Sequence, residues 1–211
     1  METMVLNTGD IKEKINTVSR ALRDGKVLIM PAATVYGISS RYDDPEALKK
    51  ICRIKKRSSD MPFIILISNR VQLDLLVKKI SAAGNKLMEK YWDRDTPKPL
   101  TLIFKKSKAV GDNLTGGRDT VAVRMAGLKE IRDIIDIAGP VVSTSANISG
   151  QDTRADDISK IPYSVRQKAD ITVRLDGGLK GTESTIVDVS GENPVLIREG
   201  ALSFDSILKD L

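Results

Sequence analysis

Short apolar runs bounded by turn residues alternate along this chain with longer segments whose apolar residues recur at helical spacing. That alternation constrains the fold more than any other feature, because it asks for strands buried by helices packed on a sheet. Residues 27–30, 63–67, 100–104, 120–124, 171–175, 184–189 and 194–198 read as strands, and so does the run that follows Gly139-Pro140. Ile11, Ile15, Val18 and Leu22 fall on one helical face, with Asp10 and Glu13 as a capping pair and Gly25 as a stop. Asp44-Pro45-Glu46 opens a second helix, residues 71–77, 82–91 and 128–138 read as further helices, and 204–211 as a short closing one. Residues 31–37 read as the loop leaving the first strand, and 92–98 and 112–118 as loops within the domain. The expected fold class is α/β: a single domain over 1–211, with a twisted mixed or mostly parallel sheet flanked by helices and a concave basic cavity.

The 211 residues suffice to bury a large core, and no apolar run approaches the length of a membrane span. The N-terminus has no apolar signal region, so a cytoplasmic location without membrane contact is expected. A single cysteine, Cys52, excludes an internal disulfide and a multi-cysteine metal site. The lack of any histidine removes the serine–histidine and cysteine–histidine nucleophile pairs. A net charge of +6 asks for an anionic partner, and residues 49–57 carry six basic side chains in nine positions. Aromatic residues are only 4% of the chain, too few for a platform that stacks successive nucleic-acid bases.

The densest set of candidate ligand groups is Ser143-Thr144-Ser145-Ala146-Asn147-Ile148-Ser149-Gly150, directly after an apolar run. Its hydroxyls and amide suit phosphate and carboxylate oxygens, although a strand ending in an Asn/Ser/Gly turn has the same composition. Thr34 and Tyr36 follow another strand, and Arg124 and Arg198 close two more. If these strands share a direction, their loops converge on one crevice, with Lys55 and Arg57 reaching in from the basic run. Arginine forks and lysine charges suit a triphosphate. The plainer reading makes the basic run a solvated helix face and Arg198-Glu199 a surface pair. Gly177-Gly178-Leu179-Lys180-Gly181-Thr182 lacks P-loop spacing.

Seven segments in order resemble the YrdC-like family of threonylcarbamoyl-adenylate synthases. They are Pro31-x-x-Thr34-Val35-Tyr36-Gly37, Lys55-Lys56-Arg57-Ser58-Ser59-Asp60-Met61-Pro62, Pro99-Leu100-Thr101-Leu102-Ile103, Thr120-Val121-Ala122-Val123-Arg124, residues 143–150, Ser184-Thr185-Ile186-Val187-Asp188 and Arg198-Glu199-Gly200-Ala201. The resemblance implies a single-domain YrdC-like fold with a concave basic cavity in which L-threonine, bicarbonate and ATP form threonylcarbamoyl-adenylate and pyrophosphate. The product would serve downstream machinery that modifies the adenosine beside the anticodon of certain tRNAs. By position, Thr34, Arg124, Ser143 and Ser184 match the threonine side, and Arg57, Thr120, Ser145, Asn147, Thr153 and Arg198 the ATP side. Lys55, Arg57, Ser145 and Asn147 form the Lys-x-Arg and Ser-x-Asn pairs expected at the reacting centre. Magnesium is expected with the triphosphate, with no protein ligand assigned.

The chain also departs from the family pattern. Ala32-Ala33 replaces a Thr followed by an acidic residue, Ser58 a Pro, Met61 an Asn near nucleotide, and Leu66 a His near threonine. Larger members of the family it resembles add a C-terminal domain, which is not expected in these 211 residues. Two rival readings remain: a non-catalytic module holding tRNA or double-stranded RNA by its phosphates, and a related carbamoyl-transfer enzyme.

Overall fold

The computed structural model describes residues 2–6, 8–150, 155–175, 179 and 181–211. The strands are β1 Glu2–Val5, β2 Leu28–Pro31, β3 Tyr36–Arg41, β4 Ile64–Ile67, β5 Val77–Lys79, β6 Leu100–Lys106, β7 Thr120–Met125, β8 Val141–Ser145, β9 Ile171–Arg174, β10 Thr185–Asp188 and β11 Val195–Arg198. The helices are α1 Ile11–Arg23, α2 Pro45–Lys55, α3 Leu73–Leu76, α4 Ala82–Tyr91, α5 Asp112–Thr115, α6 Lys129–Ala138, α7 Tyr163–Arg166 and α8 Phe204–Leu208. All eleven strands join one sheet in the order β1-β9-β2-β3-β8-β4-β7-β6-β10-β11, with β5 beside β6. The α/β class and the mixed sheet are as expected. Within that mixture antiparallel pairs prevail, because β2–β3, β3–β8, β4–β8, β5–β6, β6–β7 and β10–β11 all run antiparallel.

Two apolar cores lie on opposite faces of the sheet. One gathers Ile38, Ile65, Val123, Leu102 and Val142 from the strands under Leu48, Ile51 and Ile54 of α2 and Leu87, Met88 and Tyr91 of α4. The other packs Ile15, Val18 and Leu22 of α1 and Ile131, Ile134 and Ile135 of α6 on Leu28, Met30, Leu66 and Val141. The helices form where their caps and apolar stripes dictate. Asp10 caps α1 by accepting from Glu13 N at 3.0 Å, and Asp44 caps α2 by accepting from Glu46 N and Ala47 N at 3.0 Å each. Val71–Val77 divides into a 3₁₀ turn, the short α3 and the start of β5 rather than one helix. Tyr36 and Gly37, read from sequence as the end of a loop, and residues 38–41, to which no element was assigned, form β3, a central strand paired on both edges. Among the described residues no helix is long and apolar enough to cross a membrane.

Candidate active site

The strand ends do not point one way. The antiparallel ladders give β2 and β8 one direction and β7 and β11 the opposite one, so convergence of the carboxyl ends is not what assembles the site. A shared face assembles one half of it instead. Ser143 pairs with Ser39 of β3 and Ile64 of β4, Ile64 pairs with Ala122, and Arg124 lies two residues on, opposite Thr101 of β6. With a side-chain period of two, Ser39, Ser143, Arg124 and Thr101 therefore project from the same face. This is the face whose remaining area α1 and α6 cover.

Here a cavity of about 70 Å³ is lined by Thr34, Leu66, Arg124, Ser143, Ser184 and Arg198, among others. At roughly 10–15 Å³ per water this is room for about five waters, the scale of a small polar ligand. Arg124, 5% exposed, donates from Nη1 to Thr34 Oγ1 and from Nη2 to Ala32 O, both at 3.3 Å. Burial, with a contribution from Arg198, pulls its pKa down to about 10. Ser143 Oγ accepts from Ser39 Oγ at 3.2 Å, and the Ser184 and Thr101 hydroxyls lie 2.8 Å apart. Arg198 donates from Nη1 to Glu183 Oε2 at 2.5 Å and from Nη2 to Ser184 O at 2.9 Å.

The other half comes around the end of β8 from α2, which packs on the opposite face. Lys55, in the last turn of α2 and 3% exposed, donates to Ser145 O at 2.5 Å, Asn147 O at 2.8 Å and Asn147 Oδ1 at 3.0 Å. Ser145 Oγ donates to Asn147 Oδ1 at 2.7 Å, and Lys55 O accepts from Ser149 N at 3.0 Å. The strand end and the helix end are thus knitted together. Burial lowers the Lys55 pKa to about 8, the nearby Arg57 adds to this, and Glu183 opposes it. Three oxygens around one Nζ need three N–H donors, so the bound geometry is that of the ammonium. Arg57, its pKa also lowered by burial, donates to Thr144 Oγ1 at 3.3 Å, to Pro62 O at 3.1 Å and to Met61 O, and stacks 4.4 Å above Phe63. The Nε atoms of Arg57, Arg124 and Arg198 are buried and lack hydrogen-bond partners among the described residues.

Two halves therefore sit astride β8: a small cavity with Thr34, Arg124, Ser143, Ser184 and Arg198, and a cationic rim with Lys55, Arg57, Ser145 and Asn147. Thr120 opens β7 on the Arg124 face, about 13 Å up the strand, and does not line the cavity. Thr153 lies outside the described residues. Sequence reasoning missed Ser39, Thr101 and Glu183, which only strand register brings to the site. Of the basic run, Lys49 pairs with Glu46 and Lys50 with Asp170, while Lys55 is buried beside the end of β8. A larger depression, about 810 Å³, is lined by Lys78, Lys79, Lys105, Lys106, Lys108 and Asp119, but no hydroxyl–arginine constellation converges there.

An α/β protein whose cavity combines arginines, hydroxyls and a neighbouring lysine–amide rim offers positive charge and hydrogen-bond donors of the kind that suit small anions. The chain belongs to the Sua5/YciO/YrdC family, whose description reads Telomere recombination and which matches residues 20–200. It is 36% identical over 98% of its length to the threonylcarbamoyl-AMP synthase of Pyrococcus abyssi, covering 60% of that protein, and 32% identical to that of Bacillus subtilis over 96% of this chain and 57% of the other. It thus spans about three fifths of the length of these two relatives. The crystal structure of P. abyssi Sua5 complexed with L-threonine superposes with a TM-score of 0.88 at 34% identity, over all of this chain and 61% of that one. The E. coli YciO structure, at 21% identity and TM-score 0.81 over 98% of each chain, shares the fold.

Proposed function

We propose that the chain forms threonylcarbamoyl-adenylate and pyrophosphate from L-threonine, bicarbonate and ATP, a nucleotidyl transfer that feeds threonylcarbamoyl modification of tRNA. The observation that carries this reading is the two-part site astride β8. An amino-acid-sized cavity with a buried arginine adjoins a rim of cations and oxygen-binding groups suited to phosphates. The curated relatives' names and the threonine-bound neighbour support it.

In this reading Arg124 clamps the threonine carboxylate, and Thr34, Ser143 and Ser184 supply hydrogen bonds around it. The amine, once it has lost a proton, condenses with bicarbonate to a carbamate and water. A carbamate oxygen then attacks the α-phosphorus in line with departing pyrophosphate. Such a displacement is governed by positioning and charge neutralisation. Lys55 and Arg57 neutralise charge developing on the phosphates, Ser145 and Asn147 donate to phosphate oxygens, and Thr120, Thr153 and Arg198 hold the rest of the nucleotide. Magnesium would accompany the triphosphate. Among the described residues no three His, Cys, Asp or Glu side chains cluster as a cage, so no protein ligand is assigned to it.

Pyrophosphate release from ATP and bicarbonate, compared with L-threonine, with L-serine and with no amino acid, tests the reading. Threonine should raise the rate at least about tenfold over the blank. Folded, ATP-saturated protein that shows no threonine dependence sinks the synthase assignment. Binding of duplex RNA that weakens steeply with salt, with no turnover, would favour an RNA-binding module instead.

A further inference from the structure

A free amino acid brings two charges, and the cavity so far accounts for one. Arg124 offers a cation to the carboxylate, but Arg124, Arg198 and the nearby Lys55 would together repel an ammonium group entering with it. Among the described residues lining the cavity there is one carboxylate, Glu183. Its Oε2 accepts from Arg198, and its Oε1 has no hydrogen-bond partner among the described residues. The side chain is 48% exposed, at the open side of the cavity. Its backbone is pinned: Glu183 O accepts from Ala201 N at 2.9 Å, and a Cβ at Gly200 would lie 2.4 Å from that same oxygen. Burying an ammonium without an acceptor is costly, whereas a carboxylate on a pinned backbone, with an oxygen that no described residue occupies, can supply a charge-assisted hydrogen bond.

We infer that Glu183 receives the ammonium group of the amino-acid substrate, completing a zwitterion clamp whose cationic half is Arg124. The inference rests on the amino-acid half of the function proposed above and adds to it the group that selects a free α-amino acid over its deaminated analogue. Arg198 has a separate part in it. By holding Oε2, it keeps the carboxylate aimed across the mouth of the cavity, so Glu183 faces substrate without competing for Arg124.

A binding cycle tests this on the full chain. Dissociation constants are measured for L-threonine and for 2,3-dihydroxybutanoate, the analogue with hydroxyl in place of ammonium, with a non-hydrolysable ATP analogue present. The wild type should favour threonine by about tenfold or more, the scale of one charge-assisted hydrogen bond. Glu183→Gln should erase most of that preference while changing the analogue's affinity less than about threefold, and Glu183→Asp, as a folding control, should keep part of it. If Glu183→Gln weakens both ligands equally, Glu183 serves only Arg198 and the inference fails. If the wild type does not bind threonine at all, the synthase reading fails first and takes this one with it.

Discussion

Lys55 concentrates the chemistry of the rim in one atom. Its Nζ is surrounded by Ser145 O, Asn147 O and Asn147 Oδ1, and burial lowers its pKa to about 8 from a usual value near 10.5. A lysine with a depressed pKa is charged below that value and neutral above it. Phosphate neutralisation by Lys55 is therefore present below about pH 8 and lost as pH rises through it. Turnover should fall above pH 8 in the wild type. In Lys55→Arg the limb should vanish, since guanidinium keeps its proton, although the planar head will lower the maximal rate. A pH–rate profile of pyrophosphate release reads both effects, and an alkaline limb unchanged in Lys55→Arg assigns that limb to another group. For stability the sign is opposite: between pH 8 and 10.5 the unfolded chain binds more protons, so this residue's contribution rises with pH. The residue types at this site were legible in sequence because Lys55, Arg57, Ser145 and Asn147 stand in a recognisable local order. Glu183 was not, since a glutamate beside a threonine reads as surface until β10 and β11 fold it against Arg198.

α2 delivers Lys55, and its two ends predict substitutions of opposite sign. Asp44 satisfies two otherwise free N–H groups at the start, so Asp44→Ala should cost about 1–2 kcal/mol. At the other end Lys56 is the C-cap with φ of 50°, in the left-handed region where glycine carries no Cβ penalty. Lys56→Gly should thus stabilise by about 0.5–1 kcal/mol. Urea midpoints at constant slope check both, and a loss on Lys56→Gly would mean that its side chain contributes more than its strain costs. The capping signals that place α2, and the stripes that define α1, α4 and α6, are local, so these helices could be read from the chain. β3 could not. Tyr36–Arg41 reads as Tyr-Gly-Ile-Ser-Ser-Arg, without an apolar run, yet Ser39 and Ser40 are buried between two neighbouring strands. Its identity as a strand comes from ladders with β2 and β8, and β8 is over a hundred residues away. The same non-local pairing fixes strand direction, which is why the expected convergence of strand ends gave way to convergence on a face.

Among the described residues, Arg124 is the clearest case of a charge that the fold's own contacts do not balance. Arg124 is 95% removed from solvent, has two hydrogen bonds of 3.3 Å to neutral oxygens, leaves Nε unpartnered among the described residues, and feels Arg198 as a second cation. Its pKa of about 10 lies below the usual 12.5, so throughout the neutral range the folded state bears a cost for keeping it ionised, a cost that fades only as pH rises through 10. Two apolar cores on opposite faces of one sheet supply the stability that holds this arginine in place. Such a conflict between local electrostatics and global packing is expected where binding has been favoured over stability. Arg124→Met keeps the length and apolar volume of the side chain and removes the charge. It should raise stability by about 1–3 kcal/mol, on the order of 2–10 °C in melting temperature for a domain of this size. The same variant should abolish the thermal shift that L-threonine produces in the wild type, because the carboxylate loses its cation. Thermal melts of both proteins with and without threonine decide the matter. A lower melting temperature for Arg124→Met would make Thr34 and Ala32 sufficient partners and the arginine a structural strut, whereas a rise coupled to lost threonine binding identifies it as strain held in place for the ligand.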